Sequence, residues 1–451
     1  MIPVLTPDEM RAVDAAAPEP TEVLVRRAAD AIGRAAVELL GGTYGRRVVV
    51  VAGPGNNGAD GRVAAELLGR RGIRTVVFAV DDAPAVLPAC DLVVDAAFGT
   101  GFRNSYAFPD TGAAPVLAVD ICSGLSGITG EASGTPATAL ATVTFAALKP
   151  GLLFADGPSH GGEVLLADIG LDVSGARTHM VTDADVVAWV PERAPDAHKW
   201  RHAVWLIAGS PEMSGAALLC STAALRGGSG YVRLSTPGVA DPAAPTEAVL
   251  HPLPATDWSA EVLDGCERFA AVAIGPGSGR SDETVEQVRR VVALVGRPLV
   301  VDGDALWAVG PDVAEVVKDR PAPTVLTPHD GEFERLTGRP PGPDRIAAAR
   351  GLAAATGAVV LLKGSTTVVA SADGRCLLVR SGDSRLATAG TGDVLTGLIA
   401  AHLALGADPL RAAAAAAHLH GRAAELGPRR SLIASDLPTL VPSAWDSLTG
   451  G

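Results

Sequence analysis

Short runs of valine, isoleucine and leucine that end in glycine turns recur along this chain, alternating with alanine-rich helical stretches. Strands without polar–apolar alternation are buried on both faces, as in parallel sheets covered by helices. The first half predicts such strands at residues 46–53, 74–80, 91–96 and 115–120, and near 142–147. The second half predicts them at residues 203–209, 268–275, 298–303, 322–327 and 358–364. The pattern indicates an α/β fold.

The strand pattern stops at residues 186–202, where charged residues and prolines crowd together. A chain of 451 residues suggests two or three domains, at about 150 residues each. The glycine motifs of the two halves differ in form, which argues against a duplication. We therefore predict two unrelated three-layer α/β domains, at residues 1–195 and 196–451.

The charge balance limits the partners of this chain. Acidic side chains number 50 and basic ones 37, a formal net charge of −13, which disfavours nucleic acid and anionic membranes. Phosphorylated small molecules remain possible ligands, because backbone N–H groups can bind their phosphates. The N-terminus does not resemble a signal peptide, and the five cysteines form no CxxC pair. We expect a cytoplasmic homo-oligomer that acts on small molecules and binds neither nucleic acid nor membrane.

Polar side chains cluster where three predicted strands of the first half end. Asn57 lies in the glycine-rich turn of VVVVAGPGNNGADG, Asp95 begins DAAFGTGF, and Asp120 and Ser123 lie in AVDICSG. The carboxyl ends of parallel strands meet at one edge of a sheet, where ligands bind. Asn57, Asp95 and Ser123 offer oxygen ligands without the dense carboxylates of a divalent site, which favours potassium and leaves Asp120 as acid or base. A tight turn and a helix cap are the structural alternatives.

Residues 1–172 resemble the NAD(P)H-hydrate epimerase domain. The resemblance rests on the ordered motifs TPDEMRAVD, GPGNNGADG, DAAFGTG, VDICSG, TVTFAALKPGLL and GGEVLLADIGL. It implies a Rossmann-like fold with a potassium ion on Asn57, Asp95 and Ser123. It also implies that the hydrated nicotinamide nucleotide contacts Asn56, Asn57, Gly58, Ala59, Asp60, Gly99, Thr100, Gly101, Phe102, Arg103, Asn104, Ser105 and Asp120.

This half departs from the family's pattern at three places. Ala59, near which we expect the helix to begin, replaces a usual glycine, and Cys122 replaces a usual proline. The segment at residues 101–115 has no room for the helix that the family usually has there. Two interpretations stay open: an active epimerase, or a domain that only binds nucleotide or acts as a scaffold.

In the second half, residues 389–393 (AGTGD) lead into a long apolar helix. Successive N–H groups and the helix dipole favour an anion there, and Asp393 can accept a hydroxyl proton. Lys363 follows a predicted strand and offers a cation to phosphate, although a polar hairpin is the alternative. His329 precedes a predicted helix, where a lone histidine is more often a surface or capping residue.

Residues 198–442 resemble the ribokinase-like fold and, within it, the ADP/ATP-dependent NAD(P)H-hydrate dehydratases. The matching motifs include GPGSG, VDGDAL, TPHDGE, LLKGSTT, ATAGTGDVLTG and IASDL, with small departures at Trp200 and Gly303. The resemblance implies that ADP or ATP binds, with magnesium, at Lys363, Gly364, Ser365, Thr366, Thr367 and Gly392. It implies that the hydrate contacts Ala216, Gly279, His329 and Asp393.

Together the two resemblances imply repair of the hydrated nucleotides NADHX and NADPHX. The C-terminal domain would dehydrate the (S)-hydrate, with Asp393 accepting a proton. The N-terminal domain would interconvert the R and S hydrates, with Asp120 as the acid–base group. The alternative is a small-molecule kinase with a noncatalytic N-terminal domain, which would release a phosphorylated product.

Overall fold

The computed structural model describes residues 1–449. They divide into two compact units, Ile2–Thr178 and the chain from His179 onward with Met1. The strands of the N-terminal unit are β1 (Ile2–Val4), β2 (Arg47–Ala52), β3 (Arg74–Ala79), β4 (Leu92–Ala96), β5 (Tyr106–Ala107), β6 (Val116–Val119), β7 (Gly134–Thr135), β8 (Ala141–Phe145) and β9 (Glu163–Ala167). Its helices are α1 (Pro7–Ala16), α2 (Thr21–Leu40), α3 (Asn56–Arg70) and α4 (Gly157–His160).

Six parallel strands form the central sheet of the N-terminal unit, in the order β3-β2-β4-β6-β8-β9. Strands β4, β6 and β8 are buried along their whole length, as their unbroken apolar sequences require. The five strands expected in this half are confirmed as β2, β3, β4, β6 and β8.

Two local features of this unit concern the cavity described below. Helix α3 begins at Asn56, so the expectation of a start near Ala59 was wrong; Gly55 already accepts from the Ala59 N–H at 3.0 Å. The structure describes all of residues 101–115, and none of them is helical, as expected. Instead Tyr106–Ala107 pairs with Gly134–Thr135.

The C-terminal unit contains more helices than the N-terminal unit, and its sheet has more strands. Its strands are β10 (Thr178–Met180), β11 (Ala203–Ile207), β12 (Tyr231–Ser235), β13 (Val249–Leu250), β14 (Ala271–Ile274), β15 (Leu299–Val301), β16 (Thr324–Leu326), β17 (Val359–Leu362), β18 (Thr367–Ala370) and β19 (Cys376–Val379). Its helices are α5 (Asp183–Trp189), α6 (Ser214–Arg226), α7 (Ser259–Gly265), α8 (Asp282–Leu294), α9 (Asp304–Val309), α10 (Val313–Val317), α11 (Asp330–Thr337), α12 (Arg345–Thr356), α13 (Thr391–Ala404), α14 (Pro409–Leu426) and α15 (Asp436–Thr449).

The sheet of this unit runs β10-β19-β18-β17-β16-β15-β14-β11-β12-β13. The strands from β17 to β13 are parallel, and β18 pairs antiparallel with both β17 and β19. Helices α13 and α14 are rich in alanine and almost wholly buried. A Cβ on Gly397 of α13 would lie 2.2 Å from the carbonyl oxygen of Cys220 on α6, so small residues permit this close helix packing.

The unit boundary lies between Thr178 and His179, ahead of the expected boundary at 195/196. The physical reason is that α5 packs into the C-terminal unit. Val186 is fully buried in that core, and His418 Nε2 lies 2.6 Å from Asp183 Oδ1. The proline-rich stretch that suggested a boundary is therefore a loop inside this unit. Among the described residues, no helix combines the length and apolarity needed to cross a membrane.

Candidate active sites

A cavity of about 540 Å³ opens at the carboxyl ends of β2, β4 and β6 in the N-terminal unit. Five ionisable side chains line it, namely Arg11, Asp14, Asp60, Asp120 and Lys149. The expected substrate contacts that line it are Asn56, Asn57, Asp60, Gly99, Thr100, Gly101, Phe102 and Asp120.

The other expected contacts of this half do not line the cavity. Residues 103–105 are exposed. Gly58 and Ala59 lie in the first turn of α3, where a Cβ on Gly58 would lie 1.9 Å from the carbonyl oxygen of Gly53. Gly58 therefore permits a close approach of helix and strand, and its contact with a substrate stays a prediction.

Lys149 is the site residue that the sequence analysis missed. Its side chain is 2% exposed, and Nζ lies 2.7 Å from Asp120 Oδ1. The ammonium also donates to Thr144 Oγ1 at 3.0 Å and to the carbonyl oxygens of Phe145 and Ala147 at 2.9 and 3.0 Å. The available signal was its place just after β8, at the sheet edge where the other polar residues end.

Asp60 and Asp14 lie in surroundings that disfavour their charged forms. Burial, together with the charges of Asp120 and Asp14, raises the pKa of Asp60 to about 8. Burial also raises the pKa of Asp14; the charge of Lys149 opposes this shift and that of Asp120 adds to it. Asp60 is therefore mostly protonated at neutral pH.

Below the cavity, Asp95 and Ser123 form a buried pair. The Ser123 N–H donates to Asp95 Oδ2 at 2.8 Å, and Ser123 Oγ donates to Oδ1 at 2.5 Å. Burial raises the pKa of Asp95 to about 6 in spite of these hydrogen bonds. Asn57 Nδ2 is buried and has no hydrogen-bond partner among residues 1–449. Two of the three expected metal ligands are thus in contact.

In the C-terminal unit, helix α13 begins at Thr391, directly after Gly390 with φ of +92°. Asp393 lies in the first turn of this helix, as expected. Lys363 follows β17, and its Nζ lies 3.5 Å from the position of a Cβ on Gly392. The structure therefore brings the lysine ammonium to the amino end of α13, the arrangement that suits a phosphate group.

Asp302, at the end of β15, holds this lysine in place. Lys363 Nζ lies 2.6 Å from Asp302 Oδ1, which also accepts from Thr327 Oγ1 at 2.7 Å. Thr396 Oγ1 of α13 donates to Oδ2 at 2.7 Å. Burial alone would raise the pKa of Asp302, but the charge of Lys363 and these hydrogen bonds hold it below its usual value. The motif VDGDAL contained this residue, although the sequence assigned it no role.

The proton affinity of Asp393 suits a base. Burial and the charges of Asp302 and Asp304, opposed by the charge of Lys363, raise its pKa to about 7. A carboxyl with a pKa near neutrality combines a large ionised fraction with a strong affinity for protons. Asp393 can therefore accept a proton at neutral pH.

His329 caps helix α11. Its Nδ1 accepts from the N–H groups of Gly331 and Glu332 at 3.0 and 3.3 Å, and Glu332 Oε2 accepts from the His329 N–H at 2.8 Å. The imidazole is exposed, and Glu332 lies 3.9 Å from Lys363 Nζ. The capping interpretation is confirmed, and contact with a hydrate stays a prediction.

The GPGSG turn and the loop after β17 complete this region. The Gly279 N–H donates to Asp304 Oδ2 at 3.0 Å, and the Ala216 Cβ packs against this turn. Arg345, also missed by the sequence analysis, donates to the carbonyl oxygen of Lys363 at 2.6 Å. Thr366 is buried, whereas Gly364, Ser365 and Thr367 are half-buried or exposed.

Comparison with known families agrees with this arrangement. A family model described as NAD(P)H-hydrate dehydratase matches residues 204–444, and one described as YjeF-related protein N-terminus matches residues 21–87 and 79–151. The bifunctional NAD(P)H-hydrate repair enzyme Nnr of Salinibacter ruber is 36% identical, over 98% of this chain and 95% of its own length. That of Mycobacterium tuberculosis is 39% identical, over 90% of each chain.

Solved structures resemble the C-terminal unit. The ADP/ATP-dependent NAD(P)H-hydrate dehydratase of Bacillus subtilis, co-crystallised with ATP and Mg²⁺, is 34% identical with a TM-score of 0.51. The match covers 59% of this chain and 97% of that one. A ribokinase-like superfamily protein of Enterococcus faecalis shares the fold, at 21% identity and a TM-score of 0.52 over 60% of this chain and 96% of that one. The chain therefore belongs to the family of bifunctional NAD(P)H-hydrate repair enzymes.

Proposed function

We propose that this chain repairs hydrated NADH and NADPH at two active sites. The C-terminal site dehydrates the (S)-hydrate at the expense of ADP or ATP, and the N-terminal site interconverts the R and S hydrates. The observation that carries the proposal is the placement of the Asp393 carboxyl at the amino end of α13, with Lys363 beside Gly392. The bifunctional relatives match nearly the whole chain, which supports both halves of the proposal.

The dehydration chemistry follows from the hydroxyl that the hydrate carries at C6. Hydroxide is a poor leaving group, so water does not depart readily. Transfer of a phosphoryl group to the hydroxyl oxygen, with Asp393 accepting its proton, makes phosphate the leaving group. The electron pair of the ring nitrogen then expels phosphate, and loss of a proton from C5 restores the dihydropyridine. The N–H groups at the start of α13 stabilise the charge on the transferring group.

The nucleotide would lie along the loop after β17 and the amino end of α13. We assign Lys363, Gly364, Ser365, Thr366, Thr367 and Gly392 to its binding, and Ala216, Gly279 and His329 with Asp393 to the hydrate. Magnesium bound mainly by nucleotide phosphates needs only one or two protein carboxylates, which Glu332 and Asp393 can supply. When bound, the ion would neutralise charge on the phosphates.

Potassium fits the N-terminal site. The buried oxygens near its floor include the Asp95 carboxylate, Ser123 Oγ and the Phe98 carbonyl oxygen, which lies 3.1 Å from Ser123 Oγ. This set is all oxygen with one carboxylate, and Oδ1 of Asn57, whose buried Nδ2 has no hydrogen-bond partner in the described chain, can complete it. Potassium bound there by Asn57, Asp95 and Ser123 would offset the buried charge and order the turn that lines the cavity.

The dehydratase proposal is tested by incubating the protein with the (S)-hydrate and ADP. We expect the absorbance of reduced nicotinamide to return, with release of AMP and phosphate. Accumulation of a stable phosphorylated hydrate, without that absorbance, would instead support the kinase alternative. The Asp393→Asn protein should lose roughly 10²–10⁴-fold in turnover while still binding nucleotide.

The metal proposal is tested by measuring epimerisation in potassium, sodium and tetramethylammonium salts at equal ionic strength. We expect potassium to increase the rate of epimerisation by the wild-type protein and to raise the melting temperature of the N-terminal unit. Asp95→Asn should abolish both effects. Equal rates and melting temperatures in all three salts would contradict a potassium site.

We also place the reaction in the cytoplasm. The five cysteines are all free, which suits a reducing compartment. Homo-oligomerisation stays a prediction.

A further inference from the structure

The N-terminal cavity gathers three carboxyls and one ammonium, and their surroundings differ sharply. Asp14 comes from α1, Asp60 from α3, Asp120 follows β6 and Lys149 follows β8. Lys149 and Asp60 are buried, Asp120 is half-buried and Asp14 is exposed. One buried ammonium cannot balance three neighbouring carboxylates, so at least one carboxyl is driven to keep its proton. The carboxyl that keeps its proton can act as a proton donor, and an ionised carboxylate can act as a proton acceptor.

Asp120 is the carboxyl that the cation balances. Lys149 Nζ lies 2.7 Å from its Oδ1, and Thr144 Oγ1 donates to the same oxygen at 3.1 Å. The backbone of Asp120 has φ of +66°, and that of Ala146 on the adjacent strand end has φ of +60°. Because the ammonium also binds the carbonyl oxygens on both sides of Ala146, it secures two strained strand ends at once.

Asp60 has the opposite surroundings. It is 8% exposed and lines the cavity, and within residues 1–449 it has no hydrogen-bond or ion-pair partner. The charges of Asp120 and Asp14, both of the same sign as its own ionised form, raise its pKa. Because no described residue pairs with its carboxylate, Asp60 holds its proton while facing the same space as Asp120.

We propose that Asp60 and Asp120 form a two-carboxyl acid–base pair, with Asp60 as proton donor, Asp120 as proton acceptor and Lys149 as the residue that positions Asp120. The inference rests on the proposed epimerase function and names the groups that perform it. Two carboxyls whose surroundings separate their proton affinities are a recurrent solution for acid–base catalysis at neutral pH.

The reaction balances with these groups and water alone. Asp60 gives its proton to the hydroxyl oxygen at C6, and the C6–O bond breaks as the ring-nitrogen lone pair forms a C=N bond. The departing water leaves a flat iminium carbon. Water then adds to the opposite face, its electron pair forming the new C6–O bond, and Asp120 takes the released proton. Exchange through water in the cavity returns that proton to Asp60.

The rate of epimerisation should depend on pH through the protonation of Asp60. Asp60 acts in its protonated form, and burial raises the pKa of this carboxyl to about 8. Epimerisation by wild-type protein should therefore fall as the pH rises through about 8. Asp14, Asp120 and Lys149 are the other charged groups facing the cavity, besides Arg11 at its rim. Removing the charge of Asp14 should lower the proton affinity of Asp60 and move this fall to lower pH.

The experiment uses the full chain, the separated R hydrate and no ADP, and follows formation of the S hydrate by chromatography. We expect Asp60→Asn to slow epimerisation roughly 10²–10⁴-fold and to remove the alkaline fall. Asp30→Asn, a matched change at a partly exposed site on α2, should behave as wild type. Asp14→Asn should shift the alkaline fall to lower pH. The melting temperature of the N-terminal unit serves as the folding control for every variant, and dehydration of the S hydrate with ADP shows that the C-terminal unit is intact.

Two further measurements separate catalysis from structure. Lys149→Gln should lower kcat with little change in KM, because it disorders the proton acceptor Asp120 and leaves the substrate contacts in place. In water labelled with heavy oxygen, label should enter the C6 hydroxyl of both epimers at the rate of epimerisation.

The outcomes are distinct. A wild-type rate or an unchanged alkaline fall in Asp60→Asn would overturn the assignment of the donor, and epimerisation without label would overturn the C6–O cleavage. A wild-type protein that dehydrates the S hydrate but never consumes the R hydrate would contradict the epimerase proposal itself.

Discussion

At the scale of single residues, burial decides which charged groups can do chemistry. Lys363 and Lys149 are both largely buried, and each is paired with one carboxylate at a strand end. Neither pair was readable from the sequence, because its members are 61 and 29 residues apart, respectively, and meet only when parallel strands align their carboxyl ends. Asp393 and Asp120 were predictable, because each lies inside a local glycine motif.

The Asp302 carboxylate is predicted to set the pH range of dehydration. Asp393 must be ionised to accept a proton, and its pKa is raised to about 7, so kcat/KM should fall as the pH drops through 7. Asp302→Asn removes a like charge that contributes to this shift, so the fall should move to lower pH even as the loosened Lys363 lowers the rate. The measurement is the pH profile of kcat/KM.

A surface variant provides the comparison for this profile. Asp312→Asn breaks an exposed ion pair with Arg289 and should leave the profile unchanged. If Asp302→Asn lowered the rate equally at every pH, Asp302 would only support the fold.

At the scale of elements, many of the strands were predictable and the segment between β4 and β6 was only partly so. Unbroken apolar runs predicted ten strands, among them β4, β6 and β8, because burial on both faces leaves no polar positions. The sequence analysis missed β12 and β19, which also lie inside the C-terminal sheet. The absence of a helix at residues 101–115 also followed from length. The sequence did not predict the aromatic contacts found there. Phe98 stacks on Phe102 with ring centroids 4.0 Å apart, and Tyr106 meets Phe98 edge-on at 4.9 Å. Such ring contacts depend on tertiary folding.

This aromatic segment is predicted to depend on one glycine. Gly134 of β7 has φ of +98°, and a Cβ there would lie 2.2 Å from the carbonyl oxygen of Tyr106. Gly134→Ala should therefore separate β5 from β7, displace the aromatic wall of the cavity and abolish epimerisation, while dehydration continues. The measurement is both activities on the full chain.

Gly112→Ala is the matched control. Gly112 also has positive φ, +60°, but no atom lies within 4 Å of its added Cβ, so only a backbone cost of roughly 1–2 kcal/mol is expected. Equal loss of epimerisation in both variants would show that backbone strain, and not the β5–β7 contact, was responsible.

At the scale of the whole molecule, the chain is two units with separate tasks. The net charge of −13 disfavours polyanions as general partners, and both candidate sites contain few cations, chiefly Lys363 and Lys149. The sequence predicted two units but placed the boundary too late, because a proline-rich loop resembles a linker. Only the packing of α5 reveals that residues 179–195 belong to the C-terminal unit.

The corrected boundary makes a prediction about fragments. A fragment of residues 196–451 lacks Val186, which is fully buried, and the contact of Asp183 with His418. Its free energy of unfolding should therefore be about 2–4 kcal/mol lower than that of a fragment of residues 179–451, because part of the apolar core is missing. It should unfold at a lower urea concentration. Urea denaturation followed by tryptophan fluorescence measures the difference. Equal midpoints would restore the boundary near residue 195.

The central claim is that one chain repairs both epimers of hydrated NADH and NADPH. It is tested most directly by giving the full chain an equilibrated mixture of R and S hydrates with excess ADP and following the absorbance of reduced nicotinamide. We expect complete recovery by wild type. When Asp120 is replaced by alanine, recovery should stop at the S fraction, apart from slow uncatalysed interconversion. Wild-type recovery that stops at the same S fraction would contradict the central claim.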